Sequence, residues 1–343
     1  MEVKIHPNRF IGKDHPCYII VDVGANHNQD LKTAKRLIEV SAEMGADAVK
    51  FQTYAADKLY SSKTPLFSSS PIPVNELIKK CEHPREWLPI LKEIAKDNGI
   101  DFTSSPFDFE AVDLLEEINV PFHKVASAEI VDLELIEYIA KTEKPIIIST
   151  GMSYLGDIED AINTILKVNN DKIILLHCNT LYPTAVEAVN LKAIKTLKRA
   201  FKFPIGFSDH TLGIHISLAA VAIGAKVIER HITLDKNQEG PDHHFALDPS
   251  DLKLLTRYIR DIEIANGDGI KKPHNLELEE NFKKGRRSII AAEEIPKGTV
   301  IKRSMLIVKR PGYGIKPKFI NMVVGRILKV DIQKDDWITW DML

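Results

Sequence analysis

The sequence predicts a (β/α)8 barrel followed by a small β-rich module. Three observations carry this. Between residue 17 and residue 266, short apolar runs alternate with amphipathic stretches, eight of each. The runs are continuously apolar, as strands covered on both faces must be. Their polar residues gather at one end, where the eight loops of such a barrel converge on a single cleft.

The strands are read, in order, from "CYIIVDVG", "DAVKFQT", "IDFTSS", "PFHKVAS", "PIIIST", "KIILLHC", "PIGFS" and "AKVIERH". Stretches such as "DLKTAKRLIEVSAEMG", "DFEAVDLLEEIN" and "DLELIEYIAKT" lie between them, with apolar residues at helical spacing and an Asp at the start. The last helix falls at "PSDLKLLTRYIRDIEIAN". One connection breaks the rhythm: "YAADKLYSSKTPLFSSSPIPVNELIKKCEHP" is longer than ordinary structural loops and reads as a lid over the cleft. After Gly267 the charged stretch "GDGIKKPHNLELEENFKKGRR" reads as a linker, and short β-rich pieces broken by "PKG", "RPGYG" and "VVG" follow it. The expected boundaries are 1–266 for the barrel, 267–285 for the linker and 286–343 for the small module. A core that small is marginal alone, so the module is expected to dock on something.

Composition bounds the function. With 44% hydrophobic and 27% charged residues and a net charge of −2, the chain has no overall basic character, which argues against nucleic acid as a partner. No apolar run approaches the length of a membrane span, and "MEVKIHPNRF" lacks the apolar core of a signal peptide, so the expectation is a cytoplasmic protein acting on small molecules. The three cysteines form no CxxC pair, and Cys178 reads as a small core residue.

The strand ends carry the candidate chemistry. His210 and His231 follow two successive strands, so both imidazoles can leave one sheet edge and share a divalent ion, with Asp209 and Glu229 available as carboxylates behind them. Two protein ligands leave positions open for water or a substrate oxygen, the pattern of a Lewis-acid site. Lys50 in "AVKFQ" and Lys124 in "FHKVAS" sit in apolar contexts where an ammonium needs an anion. That anion is a phosphate or carboxylate ligand, helped by the hydroxyls of "SSP", "ASAE" and "STGM", or else Glu129 or Asp22 of the barrel itself. In "EGPDHHFALDP", Asp242 can accept hydrogen bonds from sugar hydroxyls, while His243 and His244 read as solvated surface.

The ordered set "VGANHN", "VKFQT", "KVASAE", "STGM", "HCNTLYPT", "GFSDHT", "ERHITL" and "GPD", followed by "RRSIIAA" and "VKRPG", resembles the sialic acid synthase family from about residue 15 to the end. These enzymes join phosphoenolpyruvate to an N-acyl mannosamine-like sugar, and the C-terminal module resembles their antifreeze-like (SAF) domain. The resemblance implies that His210 and His231 hold a divalent ion, manganese first, with magnesium or cobalt as alternatives. It implies that Lys50, Lys124, Ser127 and Ser149 hold phosphoenolpyruvate, with the hydroxyls of Ser105, Thr180 and Ser208 around them. Gln52, Tyr182 and Asp242 would meet the sugar. Arg310, in "KRPG", would reach the partner's site in a domain-swapped homodimer.

Three positions depart from the family pattern: "VDVG" puts Asp22 where a glutamate is usual, Ser105 replaces a threonine, and Thr180 stands where some members have asparagine. Each keeps an oxygen, so the identity of the sugar is affected more than the reaction. Proton handling falls to Asp22 or Glu129, between which spacing does not choose. N-acetylneuraminate is the first expected product, and N,N'-diacetyllegionaminate the alternative. A synthase acting on a sugar phosphate and a non-catalytic glycan-binding protein are the competing functions.

Overall fold

The computed structural model describes residues 1–66 and 72–343, which form two compact units, Met1–Gly267 and Asp268–Leu343. The first begins with an antiparallel hairpin, β1 (Glu2–His6) and β2 (Arg9–Gly12). Eight parallel strands follow: β3 (Tyr18–Asp22), β4 (Ala48–Thr53), β5 (Asp101–Pro106), β6 (His123–Val125), β7 (Ile146–Ser149), β8 (Ile173–Cys178), β9 (Ile205–Asp209) and β10 (Val227–His231). They pair in the order β5-β4-β3-β10-β9-β8-β7-β6. Across the seam between β5 and β6, the Thr103 hydroxyl donates to the Phe122 carbonyl at 2.7 Å. All eight strands fall on the runs read from the sequence.

Each strand is followed by one of the helices Leu31–Glu43, Trp87–Asp97, Phe109–Glu117, Leu133–Ala140, Leu155–Lys167, Lys192–Phe201, His215–Ala222 and Pro249–Asn266. Asp30, Asp108, Asp132 and Asp248 cap four of them by accepting from backbone N–H groups of the first turn. The long second connection contains short helices at Ala56–Leu59 and Val74–Lys79, and residues 67–71 of the expected lid lie outside the described residues.

The two-residue period of the strands separates two cores. One face packs against the helices, through residues such as Ile19, Val21, Val49, Phe51 and Ile148. The other face fills the barrel interior with Tyr18, Ile20, Ala48, Phe122, Ile147, Ile174, Leu176 and Val227, joined by Val3, Ile5 and Ile11 of the hairpin. The hairpin therefore plugs the bottom of the barrel, an element the sequence reading missed. Tyr18 fixes the plug further: its ring lies 4.9 Å under the Arg9 guanidinium, and Arg9 pairs with Asp47 at 2.9 Å. With the lower interior filled by apolar groups, the next inward positions along each strand are left for polar ones.

The second unit has its own core of Ile289, Ala291, Ile295, Ile301, Leu306, Ile315, Val323, Leu328, Ile332, Ile338 and Leu343 around the antiparallel pair β11 (Ser288–Ala291) and β12 (Leu306–Lys309). Short helices at Asn275–Glu279 and Asn281–Gly285 occupy the stretch read as a linker.

Candidate functional site

Strand register builds the site. His231 on β10 lies opposite Asp22 on β3, and Asp22 opposite Lys50 on β4, so the three share one inward-facing row above the apolar core. Glu229 pairs in register with Ser208 on β9, and Ser208 with Cys178 on β8. Gln52 lies opposite Ser105. The expected residues of these strands thus lie inward at one end of the barrel.

Two buried cations anchor it. The Lys50 ammonium donates to Asp22 Oδ2 at 2.6 Å, and Gln52 Nε2 donates to the same oxygen at 2.9 Å. Burial alone would raise the Asp22 carboxyl, but the Lys50 and His231 charges and these bonds hold it well below the usual carboxylate range. Lys124 donates to Ser149 Oγ at 2.7 Å and lies 3.7 Å from Glu229 Oε1. Burial lowers its pKa despite that carboxylate. Of the two barrel carboxylates weighed as partners, Asp22 pairs with Lys50. The carboxylate beside Lys124 is Glu229, whose Oε1 also accepts from Ser208 at 2.8 Å.

Hydroxyls gather beside Lys124. The Ser127 Oγ accepts the Gly151 N–H at 3.0 Å. A Cβ at Gly151 would stand 2.4 Å from Thr180 Oγ1 and 2.8 Å from Ser127 Oγ, so only glycine lets the "STGM" backbone approach both. The hydroxyls of Thr180 and Ser105 are buried without a protein partner, as is Glu229 Oε2. Glu129, on the short 3-10 turn Ala128–Val131, also carries an unpartnered buried oxygen, and burial pushes its carboxyl up to about 7. Natural interiors leave few such groups unsatisfied. Their concentration at this end of the barrel suits a polar ligand.

The histidines face each other with ring centroids 5.3 Å apart. His210 Nδ1 bonds the Asn179 carbonyl at 2.9 Å, an arrangement that leaves the other ring nitrogen as acceptor. His231 Nδ1 has no hydrogen-bond partner although buried; Asp242 Oδ2 lies 3.5 Å from it, and Asp22 Oδ2 lies 3.4 Å from Nε2. Burial lowers the His231 pKa, which favours the neutral imidazole a metal requires. Gly24, with φ of 52°, leaves room here, since a Cβ would come 2.5 Å from Asp242 and 2.8 Å from His231. An orphaned imidazole nitrogen and a second ring across from it are the donor type that a divalent ion takes. Among the described residues no group of three or more His, Cys, Asp or Glu side chains is arranged to chelate one, so this is an open pair. The Tyr182 ring packs 4.4 Å from His210, and the Ala25 N–H holds Asp242 at 3.0 Å.

Several readings need correction. Asp209 does not back a histidine: the strand period turns its own side chain outward, where Arg230 takes it at 2.7 Å and Ser217 and the Thr211 N–H complete the cluster. Cys178 is buried as expected, opposite Ser208 in the strand register. His243 is buried and structural, bonded to Thr233 Oγ1 at 2.7 Å and Asn28 Oδ1 at 3.1 Å, whereas His244 is exposed as expected. Arg310 belongs to the second unit, exposed just after β12.

Comparison with known proteins gives a consistent set. The NeuB family model matches residues 37–271, and the SAF domain model matches residues 286–343. The chain is 44% identical to the N,N'-diacetyllegionaminic acid synthase of Campylobacter jejuni over 93% of its own length and 98% of that protein's. It is 38% identical to the human N-acetylneuraminate-9-phosphate synthase, over 100% and 97% of the two chains. Its structure resembles the N-acetylneuraminic acid synthetase of Leptospira borgpetersenii, solved with citrate, with a TM-score of 0.75 and 35% identity over 82% of this chain and 95% of that one.

Proposed function

Because the chain belongs to the NeuB family and ends in a SAF domain, we propose that it joins phosphoenolpyruvate to the open-chain aldehyde of an N-acyl mannosamine-type sugar, releasing phosphate. The product would be a nonulosonic acid, N-acetylneuraminate first and its diacetamido relative legionaminate second. The observation that carries the reading is the gathering, at one end of the barrel, of a histidine pair with an unbonded nitrogen and two buried ammonium groups beside unpartnered hydroxyls.

Each residue has a part in this chemistry. Lys124, with Ser127, Ser149 and Thr180, would receive the phosphate and carboxylate of phosphoenolpyruvate, and Lys50, Ser105 and Ser208 would complete the charge and donor set. Asp242, Gln52, Tyr182 and Asp22 lie on the histidine side and would orient the sugar hydroxyls. His210 and His231 would hold a divalent ion, manganese first, which when bound supplies electrophilic polarisation of the aldehyde oxygen. C3 of phosphoenolpyruvate attacks the aldehyde carbon. Water adds at C2, and the tetrahedral carbon expels phosphate by cleavage of the C2–O bond, so the water oxygen becomes the ketone oxygen. The two water protons end on the new sugar hydroxyl and on phosphate. Glu129, with its carboxyl near pH 7, is poised to relay one of them.

The experiment is phosphate release from phosphoenolpyruvate with manganese against N-acetylmannosamine, its 6-phosphate, a 2,4-diacetamido sugar and arabinose 5-phosphate. Turnover with an N-acyl amino sugar is expected. Preference for arabinose 5-phosphate would move the chain to a sugar-phosphate synthase, and no release with any sugar would end the enzymatic reading.

The same reading includes a homodimer in which Arg310 enters the partner's cleft. An equal mixture of Arg310→Ala and His231→Ala chains, refolded together, should then recover about a quarter of wild-type activity, since half the dimers would hold one complete site. No recovery in any mixture would rule out the exchange.

A further inference from the structure

The opposite end of the barrel carries a second cavity, of ≈ 540 Å³, between the tip of the N-terminal hairpin and the segments leading into β5 to β8. It is strongly basic in an acidic chain. Lys4, His6, Lys92, Lys144 and Lys172 line it, and Asp101 is the carboxylate among its lining residues. Asp101 is already engaged, accepting the Tyr18 hydroxyl at 2.5 Å and lying 3.4 Å from His6 Nε2. Lys144 is held by Glu116 at 2.9 Å and Asn119 at 3.0 Å, and Lys172 by the Glu143 carbonyl at 2.6 Å.

Lys92 is different. It is half-buried on the helix Trp87–Asp97, and among the described residues its ammonium makes no ion pair or hydrogen bond. Burial lowers its pKa; the Asp101 and Glu93 carboxylates oppose that shift, and the charges of Lys144 and Lys96 add to it. An ammonium drawn out of water beside a like charge is unfavourable until an anion joins it. A volume of this size lies in the ordinary range for small-molecule sites. Pro7, Pro121 and Pro145 give it an apolar wall, and Asn119 adds polar atoms at the rim.

We propose that this cavity binds a small phosphate ester, anchored by Lys92 and bridging the hairpin plug to the barrel strands. Several lysines lining one cavity suit the compact double charge of a phosphate better than a single carboxylate. The prolines and Asn119 suit a sugar-sized body attached to it. Because Val3, Ile5 and Ile11 of the hairpin fill the barrel floor, a ligand gripping Lys4 and His6 on one side and Lys92 on the other ties that floor in place. This binding is independent of the catalytic cleft.

The test is amide hydrogen exchange on the full-length protein with ribose 5-phosphate, inorganic phosphate or ribose, at ionic strength matched with potassium chloride. Ribose 5-phosphate should slow exchange in residues 2–12 with saturation, inorganic phosphate should do so more weakly, and ribose should not. Lys92→Met should raise the half-saturating concentration by about tenfold or more, while Lys92→Arg keeps it within about threefold. Both variants should retain wild-type phosphate release from phosphoenolpyruvate, which shows that they fold. Protection that is absent, reproduced by chloride, confined to the C-terminal ends of the strands, or unchanged by Lys92→Met would overturn the proposal. None of these outcomes touches the catalytic reading, which is read by turnover.

Discussion

Replacing His231 with alanine is expected to lower kcat/KM for phosphate release by about a thousandfold or more and to weaken manganese binding at least about tenfold, with little loss of stability. The asymmetry follows from the contacts. His231 Nδ1 has no hydrogen bond to lose, and Asp22 keeps Lys50 and Gln52 as partners when the imidazole goes. Fold and function are therefore separable at this residue. Steady-state kinetics, manganese titration by electron paramagnetic resonance and thermal melting on one preparation measure all three. Unchanged manganese affinity would remove His231 from the ion site, and a large drop in melting temperature would show it to be a structural histidine.

Lys50→Met is expected to be costly in both respects. It strips the buried Asp22 carboxylate of a partner at 2.6 Å, and breaking a buried ion pair in this way costs about 3–5 kcal/mol. Because the Asp22 carboxyl is held low in the folded protein, that stabilisation is present above the ordinary carboxylate range and fades as pH falls through the lowered folded value. Adding Asp22→Asn removes the stranded charge, so the double variant should regain much of the stability while remaining inactive. Urea denaturation of the two single variants and the double variant gives the coupling. Simple additivity would show that the pair does not act as a unit.

The strands and the polar rim were legible because buried parallel strands leave a two-sided apolar signature that breaks only where side chains enter the cleft. Lys50, Lys124, His210 and His231 stood out for that reason, and each is buried at the strand ends. Asp209 and Glu229 look alike in sequence, each close to a site histidine. The period of two sends Glu229 inward beside Lys124 and turns Asp209 outward to Arg230, so counting from His231 along β10 and from Ser208 along β9 would have told them apart. Gly24 and Gly151 could not be ranked above other glycines, because what excludes a Cβ there comes from distant segments: Asp242 and His231 in one case, Thr180 and Ser127 in the other. The hairpin escaped for a different reason. Its apolar residues Val3, Ile5 and Ile11 gain meaning only once a barrel floor exists to receive them.

Phosphoenolpyruvate labelled with 18O at the bridging oxygen tests the condensation most directly, by mass spectrometry of both products after one turnover with an N-acyl mannosamine. Cleavage at C2 requires the label to leave entirely in phosphate and the product ketone to carry oxygen from solvent. Label retained in the organic product, or pyruvate formed in place of a nine-carbon keto acid, would contradict the account.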